Sequence, residues 1–373
     1  MNEPNGAPVR VPVDLAGRAY EVRIGAGLID RAGPWVRETL GTVPVIVVAD
    51  AALNATPHLV RLRASFEAAR LDAPVFEVRP GEATKSLAAY GRLMEEILGL
   101  RPDRSAVIVA FGGGVVGDLA GFVAATLLRG VRLLQLPTTL LAQVDSAVGG
   151  KTGLNSRHGK NLIGAFHQPA LVLADLDTLQ TLPPRERRAG YAEVVKYGLL
   201  GDAPFFDWLE GHGHAALAGD VAALAHCVET AVRAKAAIVV ADEEERSDRR
   251  ALLNLGHTFA HAYERLTGYG DRLLHGEAVA LGLVQAFALS VRLGLCPAAD
   301  LARLQAHLEA VGLPTDPRVC GDFPAEAMLG AMRGDKKAVY GRLTFVLVRG
   351  IGAAFVSREV DEAVVLEQLR DGL

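Results

Sequence analysis

The stretch NLGHTFAHAYERL, residues 254–266, carries two histidines four apart in a helical pattern. Four residues is about one helical turn, so His257 and His261 project from the same face. A zinc-protease motif needs glutamate directly after the first histidine, and here that position is Thr258. The spacing leaves three readings open: one shared metal, divided duties, or a polar patch on a packed helix. His275 opens HGEAVALG, so three of the ten histidines fall within 19 residues. Upstream, AEVVKYGL sets Glu193 and Lys196 three apart. That spacing suits a surface ion pair, but the apolar residues around it favour burial at a site. A carboxylate and two or three histidines from separate helices satisfy a catalytic zinc, which takes three protein ligands and keeps one position open. Spacing does not say which residues those are.

Other residues point to anions. FGGGVVGD (111–118) follows an apolar strand and opens a helix, and Gly112, Gly114 and Gly117 satisfy G-x-G-x-x-G. Such a loop brings backbone N–H groups to a pyrophosphate, or is a glycine turn kept for packing. The acidic residue usual about 20 positions later is missing. Asp50 ends an earlier strand, however, and Glu82 and Lys85 follow another, so a dinucleotide site in a non-standard strand order is the better reading. DSAVGGKTG (145–153) ends like a phosphate-binding P-loop, but its first glycine would fall on Asp145, which argues against an ATPase. Lys151 reads as a loop lysine aimed at an anion. HGKNLIGAFHQP adds Lys160 and Asn161 in what reads as a glycine-flanked loop.

These residues need elements to hold them. VRVPVDL (9–15) and AYEVRIG (19–25) alternate like an antiparallel hairpin, and 43–50, 73–80, 105–114 and 131–139 read as strands. Three are continuous apolar runs suited to a sheet covered on both faces. A helix spans 85–100, with Thr84 or Ser86 as its cap. Past LPPRERR (182–188) the chain turns alanine- and leucine-rich, with helical spacing over 189–211, 217–241, 251–267, 275–294 and 298–312, then a last strand pair. The expectation is an α/β fold: residues 1–180 a Rossmann-like domain with a largely parallel sheet, residues 181–373 a mainly α-helical domain. At 373 residues two domains are natural. The net charge of -4 gives no support to nucleic-acid binding. The three cysteines are far apart, which suits a reducing cytoplasm, and neither a signal peptide nor a membrane span is visible.

Taken together, FGGGVVGDLAGFVAAT, RGV, LPTTLLAQVDSAVGGKTGLN, GKNLIGAFHQP, YAEVVKYGL, LLNLGHTF, LHGEAVALG and DKK resemble the 3-dehydroquinate synthase family, over residues 40–345. The resemblance implies bound NAD, a divalent metal (normally Zn2+, with Co2+ possible), a homodimer, and an active site in the cleft between two domains. It implies Glu193, His257 and His275 as metal ligands. Asp50, Glu82, Lys85, Gly113, Gly114, Val115, Asp118, Thr138, Thr139, Asp145, Lys151, Lys160 and Thr181 fall on NAD-contacting positions. Arg129, Lys151, Asn161, Lys196, Lys235, Arg250, Asn254, His261, Lys336 and Lys337 fall on substrate-contacting ones, Arg129 toward the neighbouring subunit. The implied substrate is an anionic sugar phosphate, 3-deoxy-D-arabino-heptulosonate 7-phosphate, converted to 3-dehydroquinate and phosphate in the shikimate pathway of aromatic amino acid biosynthesis.

DEEERSDRRALLN (242–254) is one residue longer than the family's usual stretch. Arg250 keeps the spacing to LLN, Arg249 is the alternative, and Lys235 lies beyond the insertion. The rivals are other sugar phosphate cyclases making inosose- or valiolone-type rings, a metal-dependent alcohol or glycerol dehydrogenase, and a non-catalytic NAD-binding relative. Asn254, His261, Arg250 and DKK favour the dehydroquinate reaction. A dehydrogenase needs no cluster of substrate cations, and a non-catalytic relative need not keep the ligands.

Overall fold

The computed structural model describes residues 7–245, 247–334 and 343–371. β1 (Val9–Val13) and β2 (Tyr20–Gly25) form the expected antiparallel hairpin, with Val9 opposite Ile24. There follow α1 (Ala32–Leu40), β3 (Val45–Asp50), α2 (His58–Ala68), β4 (Val75–Val78), α3 (Leu87–Gly99), β5 (Val107–Gly112), α4 (Gly114–Thr126) and β6 (Arg132–Pro137). β7 (Lys151–Ser156) and β8 (Gly159–Phe166) pair with each other, and β9 (Leu171–Asp175) completes the main sheet. Its order is β1-β2-β9-β6-β5-β3-β4, parallel everywhere except between β1 and β2.

The apolar runs are continuous because both faces of the sheet are covered. In β5, Val107, Val109 and Phe111 join Trp35, Leu62 and Phe66 from α1 and α2 on one side. Ile108 and Ala110 join Leu93 and Ile97 of α3 and Leu119 and Val123 of α4 on the other. Each fully buried Val, Leu, Ile or Phe among them contributes about 1.5–3 kcal/mol. Ser86, one of the two expected caps, accepts from the Ala89 N–H and starts α3.

Three features differ from the reading of the sequence. The stretch around Lys160 and Asn161 is not a loop but strand β8, and Lys151 begins β7. β9 was not anticipated, yet it lies between β2 and β6 and joins the hairpin to the parallel strands. The single helical pattern over 189–211 is broken at Asp202, whose side chain accepts from the Phe205 N–H and so starts a new helix.

The remaining elements are α5 (Pro184–Gly201), α6 (Ala203–Leu217), α7 (Val221–Ala241), α8 (Asp248–Ala251), α9 (His257–Thr267), α10 (His275–Arg292), α11 (Ala298–Ala310), α12 (Ala325–Arg333), β10 (Phe345–Val348), β11 (Ala354–Ser357) and α13 (Glu362–Asp371). The chain divides into two compact units. One comprises residues 1–183 and 224–244, the other 184–223 and 245–373. A boundary near residue 180 assigns 224–244 to the helical part, whereas these residues, which include most of α7, belong to the first compact unit. Lys235 shows why: its ammonium is buried and bonded to Asp145 of the first unit. No helix among the described residues is long and apolar enough to cross a membrane.

Candidate active site

In the helical unit, three helices bring Glu193, His257 and His275 together. Glu193 lies in the middle of α5, while His257 and His275 are the first residues of α9 and α10. Glycine makes this convergence possible. A Cβ on Gly276 would sit 1.7 Å from the Ala189 carbonyl oxygen, and one on Gly282 would sit 2.1 Å from that of Gly256. α10 therefore touches α5 and the start of α9 backbone to backbone. Gly256 itself has φ 80°, the left-handed turn that sends the chain into α9. Arg185 of α5 holds the entry to α10, donating to both Glu277 carboxylate oxygens at 2.7 Å and to the Asp271 and Arg272 carbonyls.

Each histidine turns its Nε2 to the same atom, Glu193 Oε1, at 3.4 Å. One donor atom from each of the three residues lies within 4.8 Å of the others. The other Glu193 oxygen, Oε2, lies 2.6 Å from Lys196 Nζ, and both side chains are 1% exposed. Burial disfavours a charged Glu193, but Lys196 and the two histidines outweigh it and hold the carboxyl well below its usual range. Burial pushes His257 down to about 4, leaving the ring neutral with a lone pair to offer. Burial also works against a charged His275, yet the Glu264 and Glu193 carboxylates prevail and hold it up at about 10. One ionised carboxylate and two imidazole nitrogens crowded around one point fit a divalent ion with an open coordination position. His261 stands beside them, its ring edge-on to His257 with centroids 5.4 Å apart.

The sheet unit carries a second polar group. Gly112 ends β5 and Gly113 is the N-cap of α4. That glycine has no side chain to offer the first-turn N–H groups of Gly114, Val115 and Val116, so these donors suit a pyrophosphate. The loop is close-packed as well: a Cβ on Gly113 would meet Thr139 at 3.1 Å, and one on Gly114 would meet Ser146 Oγ at 2.9 Å. Asp50 ends β3 and Glu82 follows β4, so both sit at the carboxyl ends of parallel strands, where such sheets bind ligands. Buried Lys85 donates to Asp118 at 2.6 Å and to Asn161 at 2.5 Å. Desolvation opposes its charge, but Asp118 and Glu82 outweigh it, so Lys85 stays cationic above its ordinary range. Lys160 lies 4.0 Å from Glu82, and Lys235 donates to Asp145 at 2.9 Å.

Other expected residues stand outside these two groups. Thr138 is buried after β6, its N–H bonded to the Gly112 carbonyl. Thr181 pairs with His58 at 2.8 Å. Arg129 is exposed in a short turn with φ 68°, and Lys151 is exposed at the start of β7. Asn254 closes the turn leading to Gly256. Of the two arginine alternatives, Arg250 is buried and Arg249 is exposed. Lys336 and Lys337 lie outside the described residues.

Two residues escaped the reading of the sequence. Asn155 donates to Glu82 at 2.7 Å and accepts from the Asn161 N–H at 2.9 Å, and so ties the hairpin to the end of β4. It was visible as the last letter of KTGLN but had no chemical role to mark it. Glu264 lies 3.4 Å from His275 Nδ1. Its signal was the i, i+4, i+7 spacing of His257, His261 and Glu264, which puts a carboxylate on the face of the histidines.

Solved proteins share this fold. 2-deoxy-scyllo-inosose synthase, solved with carbaglucose-6-phosphate, NAD+ and Co2+, superposes with a TM-score of 0.87 at 25% identity, over 98% of this chain and all of the other. The 2-epi-5-epi-valiolone synthase of Streptomyces hygroscopicus, with NAD+ and Zn2+ bound, gives 0.86 at 29% identity, over 94% and 96%. Fold and site together define a sugar phosphate cyclase. Family models described as 3-dehydroquinate synthase N-terminal and C-terminal match residues 75–189 and 190–338. The 3-dehydroquinate synthase of Rhodospirillum rubrum is 57% identical over 361 residues, covering 96% of this chain and 93% of its own. The chain belongs to the 3-dehydroquinate synthase family.

Proposed function

We propose that the chain performs the family's reaction, converting 3-deoxy-D-arabino-heptulosonate 7-phosphate to 3-dehydroquinate and phosphate, with the two residue groups described above as its working parts. The observation that carries this reading is the convergence of His257 and His275 Nε2 on one oxygen of Glu193, with Lys196 buried beside the other oxygen. NAD would supply the hydride chemistry at C5, and Glu193, His257 and His275 would hold a divalent metal (Zn2+ or Co2+) able to lower the pKa of a substrate hydroxyl. With C5 at the ketone level the C6 hydrogen is acidic and phosphate is eliminated. After re-reduction the ring opens and an intramolecular aldol step closes the carbocycle.

The protein's own residues bind, orient and move protons. Asp50 and Glu82, at strand ends, accept from ribose hydroxyls. The N-terminus of α4, at Gly113, Gly114 and Val115, cradles the pyrophosphate, and Asp118, Thr138, Thr139, Asp145, Lys160 and Thr181 complete the nucleotide pocket. Lys85 lies between Asp118 and Asn161, so it couples that pocket to a substrate-orienting amide. Lys151, Lys196, Lys235, Arg250, Lys336 and Lys337 hold the carboxylate and phosphate of the substrate, which explains a local excess of cations in an acidic chain. His261, one turn from His257 and outside the ligand trio, carries the proton of the C5 hydroxyl, with Asn254 in its hydrogen-bonding network. Exposed Arg129 reaches the neighbouring site of a homodimer, and three buried, unpaired cysteines agree with a cytoplasmic setting.

The test is to incubate the metal-loaded protein with NAD and the heptulosonate phosphate. Equimolar phosphate and dehydroquinate are expected, and the absence of both would sink the assignment.

A further inference from the structure

The two ligand histidines are held by their second ring nitrogens, but by unlike partners. His257 Nδ1 lies 3.1 Å from the Leu255 carbonyl oxygen, within its own turn. His275 Nδ1 faces Glu264 Oε2 at 3.4 Å. A neutral imidazole carries one N–H and one lone pair, so an acceptor at Nδ1 leaves the lone pair on Nε2. In both rings Nε2 is the atom turned to Glu193. The tautomer that binds metal is therefore set in each case from the far side of the ring.

Glu264 differs from a backbone carbonyl in two ways. It is a carboxylate rather than a neutral acceptor, and it is buried, 4% exposed on α9. A carboxylate is not buried without a partner that compensates it. A divalent ion would bring two positive charges and Lys196 a third, against the single negative charge of Glu193. A second buried carboxylate one ring away reduces that excess. Its place on α9 is also rigid. It lies two turns from His257 on the same helix, so the element that supplies one ligand also orients the other.

We propose that Glu264 is a positioning residue for the metal centre: it holds His275 in the Nδ1–H tautomer with Nε2 directed at the ion, and supplies the negative charge that lets a divalent cation sit beside buried Lys196. Glu264 touches neither substrate nor nucleotide in this role. The inference rests on the assignment of Glu193, His257 and His275 as ligands.

The experiment compares the full-length parent with Glu264→Gln, Glu264→Ala and His257→Ala. Zinc affinity is read by chelator competition, the Co2+ absorption spectrum reports ligand geometry, and NAD affinity and the metal-free melting temperature serve as controls. Glu264→Ala is expected to weaken zinc binding by about 10- to 100-fold and to change the cobalt spectrum, with NAD affinity unchanged. Glu264→Gln keeps an acceptor oxygen but not the charge, so it falls between parent and Glu264→Ala. If Glu264→Ala does not fold, Glu264→Gln decides alone. Parental zinc affinity and cobalt spectrum in either folded Glu264 variant would overturn the proposal. Parental affinity in His257→Ala would overturn the ligand assignment itself, so the two failures are distinguishable.

Discussion

His275 and His257 start from opposite protonation states in the metal-free protein, and this has a measurable consequence. His257, pushed to about 4, is neutral at pH 7, whereas His275, raised from its ordinary 6.5 to about 10, holds a proton. Uptake of zinc at pH 7 should release close to one proton per site, and affinity should climb as pH rises toward 10. Calorimetry in buffers of different ionisation enthalpy checks this; a heat independent of buffer would contradict it. The same shift bears on stability. The folded pKa of His275 lies above its unfolded value, so its contribution is complete below pH 6.5 and fades as pH rises through 10. Mutation separates the roles along α9. His257→Ala should lose tightly bound metal. His261→Ala should keep it while losing roughly 100-fold in rate, and loss of metal in the second variant would make His261 a ligand.

At the scale of elements, the centre depends on how closely α10 can approach its neighbours. Gly276→Ala puts a methyl group into the Ala189 carbonyl, and α10 must shift. A loss of about 1–3 kcal/mol in unfolding free energy is expected, with weaker zinc binding because His275 moves with the helix; parental values for both would show that the contact relaxes easily. The hairpin has its own dependence. Asn155→Ala removes two hydrogen bonds, at about 1 kcal/mol each, and should weaken NAD binding by releasing Glu82 and Asn161, read by equilibrium titration. Much of this architecture was legible in the chain. β1 and β2 showed as an alternating hairpin, three of the next four strands showed as the continuous apolar runs that covered parallel strands make, and the entry to α10 was visible at HGEAVALG. β7 and β8 were hidden by their glycines, which signal loops until Gly153 and Gly164 are seen facing each other across the ladder. Spacing put His257 and His261 on one face but did not separate their duties. The family resemblance is what separated them, and in the structure Glu193 and His275, from other helices, stand with His257.

For the molecule as a whole, the proposed chemistry makes NAD a catalyst rather than a substrate. During steady turnover the absorbance of reduced nicotinamide should stay flat while phosphate accumulates; a continuous rise in step with turnover would favour a dehydrogenase. The first unit also has a consequence for how the protein is made. Because it is completed by residues 224–244, it is not a contiguous segment of the chain. A ribosome delivers the chain from the N-terminus, so α5 and α6 of the other unit emerge before the last helix of the first. That unit must wait for a piece that arrives some 40 residues late. A fragment ending at residue 183 should therefore behave as an expanded, dye-binding state, and a peptide spanning 221–244, added in trans, should restore its cooperative unfolding. Assembly of this protein is interleaved, and a clean cut between its halves is not available to a protease, a designer or a gene fusion.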